Sequence, residues 1–247
     1  MSHVYRWHPH VTAGPDGPLV QAVPLHLQQS DLDGACGLHC ALMALMLFGL
    51  VERHELARLG QSSARTSPLA QLWKGSAPHY FSGLRPRKLK ALLKPYQKQL
   101  TCTLATGAPG PETAATVQAD GVGLLAILHR DFAHWILAMG VGGEDGHPDT
   151  DKLLILDPSL PPIPLLPWNA TLTVNARRSG RHRYTTVHGD DKVSVEDALL
   201  LRPRPNREEV EADFDQDAPP CRAKPVTLTP SQPACGPRHR WRALSRL

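Results

Sequence analysis

Aromatic residues are scarce: Phe, Tyr and Trp together make up 5% of the 247 residues. Hydrophobic content is still 41%, so the chain can build a core, and that core must be aliphatic. Cysteine is scarce as well. The five present, Cys36, Cys40, Cys102, Cys221 and Cys235, are odd in number and form no Cys-x-x-Cys pair. That argues against a disulfide framework and points to a reducing compartment. No charge of one sign dominates. The net charge of +4 is mild and lies largely toward the C-terminal end, which argues against a nucleic-acid-binding domain. Long hydrophobic runs are lacking: Ala41 to Val51 is the longest and is too short to span a bilayer, so no membrane insertion is expected. The opening residues carry no apolar secretory segment, and a cytoplasmic location, or export by a route without such a signal, is the expectation.

What is present centres on Gln29 to Leu50. A polar, Gly-containing loop delivers Cys36 onto a stretch in which only His39 is clearly polar, so a helix from Cys36 to Leu50 is expected to be buried on nearly all sides. Cys36 falls in its first turn, where unpaired backbone N–H groups and the positive end of the helix dipole favour thiolate over thiol. This stretch alone leaves two readings: a cysteine nucleophile, or a small buried apolar residue.

Residues 1–24 read as an extended lead-in, with Leu19 to Leu27 a short strand. Glu52 to Leu59 reads as a helix, and Ser67-Pro68 opens another. Leu89, Leu92, Leu93 and Tyr96 fall at helical spacing and give an amphipathic helix whose basic outer face is solvated. Gln99 to Leu104 is a candidate strand and Pro111 to Asp120 a short helix. Three apolar runs follow, Val122 to His129, Ala133 to Val141 and Lys152 to Asp157, which read as strands buried on both faces. Residues 142–149 form a loop by composition. Thr171 to Val174 and Tyr184 to Val187 are strand-like, and Val193 to Leu201 is a last strand or a short helix. From Arg202 onward the chain is rich in Pro, Arg and acidic residues with few apolar anchors and reads as a disordered tail.

A hairpin turning between Asp145 and Gly146 would set His134 directly opposite Asp157, with Cβ atoms about 5 Å apart. The chemistry of a thiol nucleophile wants this pair: an imidazole base with one nitrogen toward the thiol and the other held by an acceptor. Gln29 can offer its amide to a developing oxyanion, with the backbone N–H of Cys36 as second donor. A rival arrangement is a zinc site from Cys36, His39 and Cys40 with His129 or His134, although structural zinc sites usually show two separated ligand pairs. Cys40, one turn after Cys36, reads as packing.

These segments, Gln29–Leu45, His134–Val141 and Leu153–Pro158, together with the helix-like Ser82–Leu93, resemble the papain-like cysteine peptidases, closest to the bacterial double-glycine-peptidase-like group. Two positions depart from that pattern. Gln29 stands seven residues before Cys36, where the family has six, and Ala35 stands where the family has Asp. The resemblance implies nucleophile Cys36, base His134, orienting Asp157 and oxyanion donor Gln29. It implies an α+β, papain-like fold over residues 25–201, its N-terminal helical part packing the nucleophile helix on an antiparallel β-sheet. The implied activity is a cysteine peptidase acting through an acyl-enzyme on a peptide or protein substrate, with no cofactor and no metal. Two alternatives stay open: glutamine deamidation or transamidation by the same triad, and a catalytically inactive peptide-binding module.

Overall fold

The computed structural model describes residues 3–30, 33–59, 66–144 and 151–204. Two compact units divide the chain at Pro205. The second, with Cys221, Cys235 and most of the expected tail, lies outside the described residues, as do residues 145–149 of the expected loop.

Strands dominate the first unit. Leu100–Ala105 (β5), Val122–Leu128 (β6), Ala133–Glu144 (β7), Lys152–Leu156 (β8), Ala170–Thr173 (β9), His182–Thr186 (β10) and Gly189–Pro203 (β11) all belong to one antiparallel sheet. Its order runs β7-β6-β11-β10-β9-β8, and β8 pairs back onto β7, which closes six strands into a barrel. Two more strands attach outside the ring: β1 (His3–Trp7) on β7, and β5 on β11. The helices are few and short: α1 (Cys36–Leu47), α2 (Arg53–Ala57), α3 (Pro68–Ser76), α4 (Pro86–Leu92) and α5 (Pro109–Gln118).

This overturns the expected α+β, papain-like architecture: the unit is mostly β, built on a closed barrel. The apolar runs at 122–128, 133–141 and 152–156 are strands as read, but closure depends on the polar half of the sheet. β11 is a single 15-residue strand that pairs with β5, β6 and β10 along its length. Strands β9 and β10 alternate buried and exposed positions and lack continuous apolar runs, which is why their place in a ring was hard to see.

Alternation sorts the core into two layers. Leu125 and Ile127 of β6 join Ile136 and Ala138 of β7 and Ile155 of β8 in one cluster, with Tyr184, Val193 and Ala198. Leu124 of β6 and Trp135, Leu137 and Met139 of β7 face the other way, onto α1. Every residue of α1 except His39 is buried, as expected of so apolar a helix. It ends at Leu47 rather than Leu50, because Gly49 turns the chain at φ 68° and the amides of Gly49 and Leu50 return to the carbonyls of Met46 and Leu45. Ser67 caps α3 by accepting from the Ala70 amide at 3.1 Å, with Pro68 at the first helical position. The single strand expected over Leu19–Leu27 is instead two short strands, β3 (Gly17–Val20) and β4 (Val23–Pro24), which sit with β2 (Val11–Gly14) in a small separate sheet. Gln21 and Ala22 turn between them at positive φ without the Gly or Asn that would announce such a turn.

Gly37 sets how closely α1 approaches β7. A Cβ there would lie 3.0 Å from Trp135 Cδ1 and 3.3 Å from Nε1. Trp135 cannot give way, since it is buried and its indole N–H donates to the Leu84 carbonyl at 2.7 Å. Gly37→Ala is therefore expected to destabilise the unit by about 1–3 kcal/mol, read as a lower denaturant midpoint at unchanged slope.

Candidate functional site

The residues singled out in the sequence meet at one cleft. It has a volume of about 1230 Å³, and its walls include Gln29, Cys36, Phe81, His134, Asp157 and Tyr184. Cys36 is the first residue of α1. The loop before it is knotted by Asp33, whose Oδ2 accepts from the Ser30 amide (2.9 Å) and hydroxyl (2.8 Å) while Oδ1 accepts from the Ala35 amide (3.0 Å). Burial pushes the Asp33 carboxyl pKa up, but these donors outweigh it and hold it below the ordinary value. The Gly34 amide then donates to Tyr80 O at 2.8 Å, which fastens this loop to the segment after α3.

His134 sits at the start of β7 and lies between two partners. Its Nε2 is 2.7 Å from Asp157 Oδ1, and Cys36 lies near enough to help raise its pKa, with Nδ1 the ring nitrogen left for the thiol. The side chains of His134 and Asp157 are 10% and 3% exposed, so little water competes with their bond. The expected cross-strand pairing is corrected in detail. Leu137 faces Leu156 and Ala138 faces Ile155, and the register then slips at Met139, so that Gly140 faces Leu154. Followed outward, this register sets Asp157 across from Ile136, with His134 two residues further along the same face. The bond is thus diagonal, within reach of an imidazole. The expected register already fails on the turn side of the bulge, where β7 runs on to Glu144 and Gly142 faces Lys152.

Asp157 is the most heavily held group in the cleft. Oδ1 also accepts from the Ser159 amide and hydroxyl, both at 2.7 Å, and Oδ2 accepts from the Tyr184 hydroxyl. Asn169 clamps its backbone, accepting from Asp157 N at 2.7 Å and donating to Asp157 O at 2.9 Å. The His26 ring adds a contact to the same carbonyl at 3.0 Å. From the sequence, no site role is assigned to Tyr184, Ser159 or Asn169. The only hint was Tyr184 itself, an aromatic in an alternating, otherwise polar segment.

Gln29 reaches the cleft wall, and its backbone N–H donates to Pro158 O at 2.7 Å. Its side-chain Nε2 donates to the carbonyl of Asp33, and its buried Oε1 has no partner. One amide hydrogen is thus engaged by the loop, and among the described residues the other has no partner. The rival zinc ligands turn elsewhere: His39 Nδ1 faces its own helix at Ala35 O (2.9 Å), and Cys40 Sγ donates to Trp135 O (3.4 Å). Among the described residues, no three His, Cys, Asp or Glu side chains are grouped to hold a metal ion.

The two pKa shifts in the pair run in opposite directions. Burial opposes a charge on His134, but its hydrogen bonds to Asp157 and Cys36 outweigh that and raise its pKa from 6.5 to about 10. Burial likewise opposes charge on Asp157, and the bonds from His134, Tyr184 and Ser159 outweigh it and hold the carboxyl below 3.8. At neutral pH the ring is an imidazolium on a carboxylate. The raised His134 value contributes stability that is complete below pH 6.5 and lost as pH climbs toward about 10. The depressed Asp157 value contributes stability present above pH 3.8 and lost on acidification below it. Unfolding free energy is therefore expected to fall on the order of a few kcal/mol between neutral pH and pH 10, and this slope should flatten in His134→Ala. Denaturant titrations at stepped pH check it; an equal slope in both proteins contradicts it.

Compared with protein-family models and with curated proteins, the chain matches none.

Proposed function

We propose that this chain is a cysteine-nucleophile hydrolase of peptide bonds, with Cys36 as nucleophile, His134 as acid and base, and Asp157 as the group that orients His134. The observation that carries this reading is the position of His134, bonded to a buried carboxylate and lining the same cleft as a nearby thiol at a helix N-terminus. An imidazolium beside the sulfur is the counter-charge that a cysteine nucleophile calls for. Thiolate attack on the scissile carbonyl gives an oxyanion, for which the Cys36 N–H and the second Gln29 amide hydrogen, both at the cleft, are candidate donors. His134 protonates the departing amine, leaving a thioester on Cys36. It then takes a proton from the water that releases the acid.

The cleft favours a peptide over a single small amide, because about 1230 Å³ accommodates several residues of extended chain. The residue pattern that resembles double-glycine-type peptidases supports the same chemistry, independently of the barrel that carries it here.

Incubating the full chain with a mixed peptide library, and reading new N-termini by mass spectrometry and ammonia by a coupled assay, tests the proposal. New N-termini that vanish in Cys36→Ala are the expected result. Ammonia without new termini indicates deamidation instead. An untouched library, with Cys36 alkylating no faster than in the unfolded chain, overturns the reading.

A further inference from the structure

We propose that Tyr184 is a positioning residue, holding Asp157 ionised and fixed so that Oδ1 stays on His134. This rests on the hydrolase reading above and extends it to a fourth side chain. The two Asp157 oxygens are held unequally. Oδ1 receives three donors, from His134 Nε2, Ser159 N and Ser159 Oγ, all at 2.7 Å. The donor on Oδ2 is the Tyr184 hydroxyl. Asp157 is 2% exposed, so no bulk water replaces that donor if it is lost. The carboxylate would then be free to turn about its last bond and exchange oxygens, and each exchange loosens the bond to His134.

The fold explains why a tyrosine can do this. Tyr184 lies in β10, paired with Leu172 of β9 on one side and with Asp191 of β11 on the other. Its ring is 4% exposed and belongs to the same apolar cluster as Ile136 and Ile155, so the barrel wall fixes the direction of the hydroxyl. Burial and then the Asp157 charge push the phenol pKa far above 10, so it remains a donor wherever the protein is folded. The titratable groups around this pair are His134 on β7, Cys36 and Cys40 on α1, Asp191 on β11 and His26 before α1. His134 is directly bonded to Asp157, and the nearby acids Cys40 and Asp191 further oppose ionisation of the phenol.

Two readouts test the role in the full chain. Asp157 titration is followed by the ¹³C shift of its side-chain carboxyl in Cys36→Ala, where no activity is required. Cys36 alkylation by iodoacetamide is followed at pH 7 in the chain with Cys36 intact. Tyr184→Phe keeps the ring and removes the donor. The Asp157 midpoint is expected to rise by about one pH unit and Cys36 alkylation to slow about tenfold. Should Tyr184→Phe fold poorly, 3-fluorotyrosine at this position keeps the hydroxyl as a stronger donor and should move the midpoint down. An unmoved midpoint overturns the inference whatever happens to alkylation, since a merely space-filling ring would leave it unchanged. A raised midpoint with unaltered alkylation also overturns it. If wild-type Cys36 alkylates no faster than in the unfolded chain, the hydrolase reading fails, while the effect on Asp157 is still read.

Discussion

Replacing His134 by alanine is expected to slow alkylation of Cys36 at pH 7, and any hydrolysis it performs, by about 10²–10⁴-fold. The imidazole lies near the thiol and, with a pKa raised to about 10, is the counter-charge available to it at neutral pH. Without it, sulfur keeps only the helix terminus and a weak contact from Sγ to the Gly34 carbonyl at 3.9 Å. The measurement is clean because the other described thiols are poor competitors. Cys40 is fully buried and its pKa is raised by burial and the nearby acids, while burial lifts Cys102 to about 11. Peptide mapping after a short iodoacetamide pulse should therefore find Cys36 labelled ahead of Cys40 and Cys102 in the wild type, and lose that preference in His134→Ala. Equal rates in the two proteins would falsify the assignment of His134 as the activating base. A fold collapse is not expected, because Asp157 keeps donors from Ser159 and Tyr184 after the ring is gone.

How much of this was legible beforehand differs between site and fold. Cys36, His134 and Asp157 could be placed together because each sits at the edge of a strong signal: the start of an apolar helix, the entrance of one buried strand and the exit of another. Their convergence did not depend on the correct register. The diagonal approach of His134 to Asp157 tolerates the bulge at Met139, since the two residues still share a face. Barrel closure was hidden for a different reason. It is decided by the return of the last strand onto the first strand of the ring, β11 onto β6, where Leu199 faces Leu124 and Leu201 faces Val122. No local pattern encodes which edge meets which. The groups that hold Asp157 lie 12 and 27 residues beyond it, Asn169 and Tyr184, and are brought to it by the pairing of β9 with β8 and of β10 with β9. Gln29 was placed beside the nucleophile by its position shortly before Cys36 and by the resemblance, one residue off the family's spacing, but its bond to the Asp33 carbonyl depends on a loop conformation that composition does not specify.

Asp157→Asn is expected to cut Cys36-dependent turnover by about 10²–10⁴-fold while leaving the fold largely intact, and Asp157→Ala to cost about 3–5 kcal/mol of stability as well. The asparagine fills the same space but has one acceptor oxygen where the carboxylate has two. If its oxygen faces His134 and Ser159, its NH₂ meets the Tyr184 hydroxyl, which must turn from donor to acceptor. If the amide is reversed, its NH₂ meets His134 Nε2 and forces the proton onto Nδ1, the nitrogen that should receive the thiol proton. In both orientations the negative charge is gone, so His134 loses the partner that does most to hold its pKa near 10, and that value should fall back toward 6.5. The alanine variant goes further. It leaves the Ser159 amide, the Ser159 hydroxyl and the Tyr184 hydroxyl without their acceptor at a site that is 2% exposed, and each unmet donor adds to the loss. Urea titration separates the two substitutions, and NMR titration of the His134 ring separates a loss of charge from a loss of geometry. If His134 in Asp157→Asn still titrates near pH 10, the carboxylate is not what charges the ring, and the Cys36–His134–Asp157 relay is wrong at its third member.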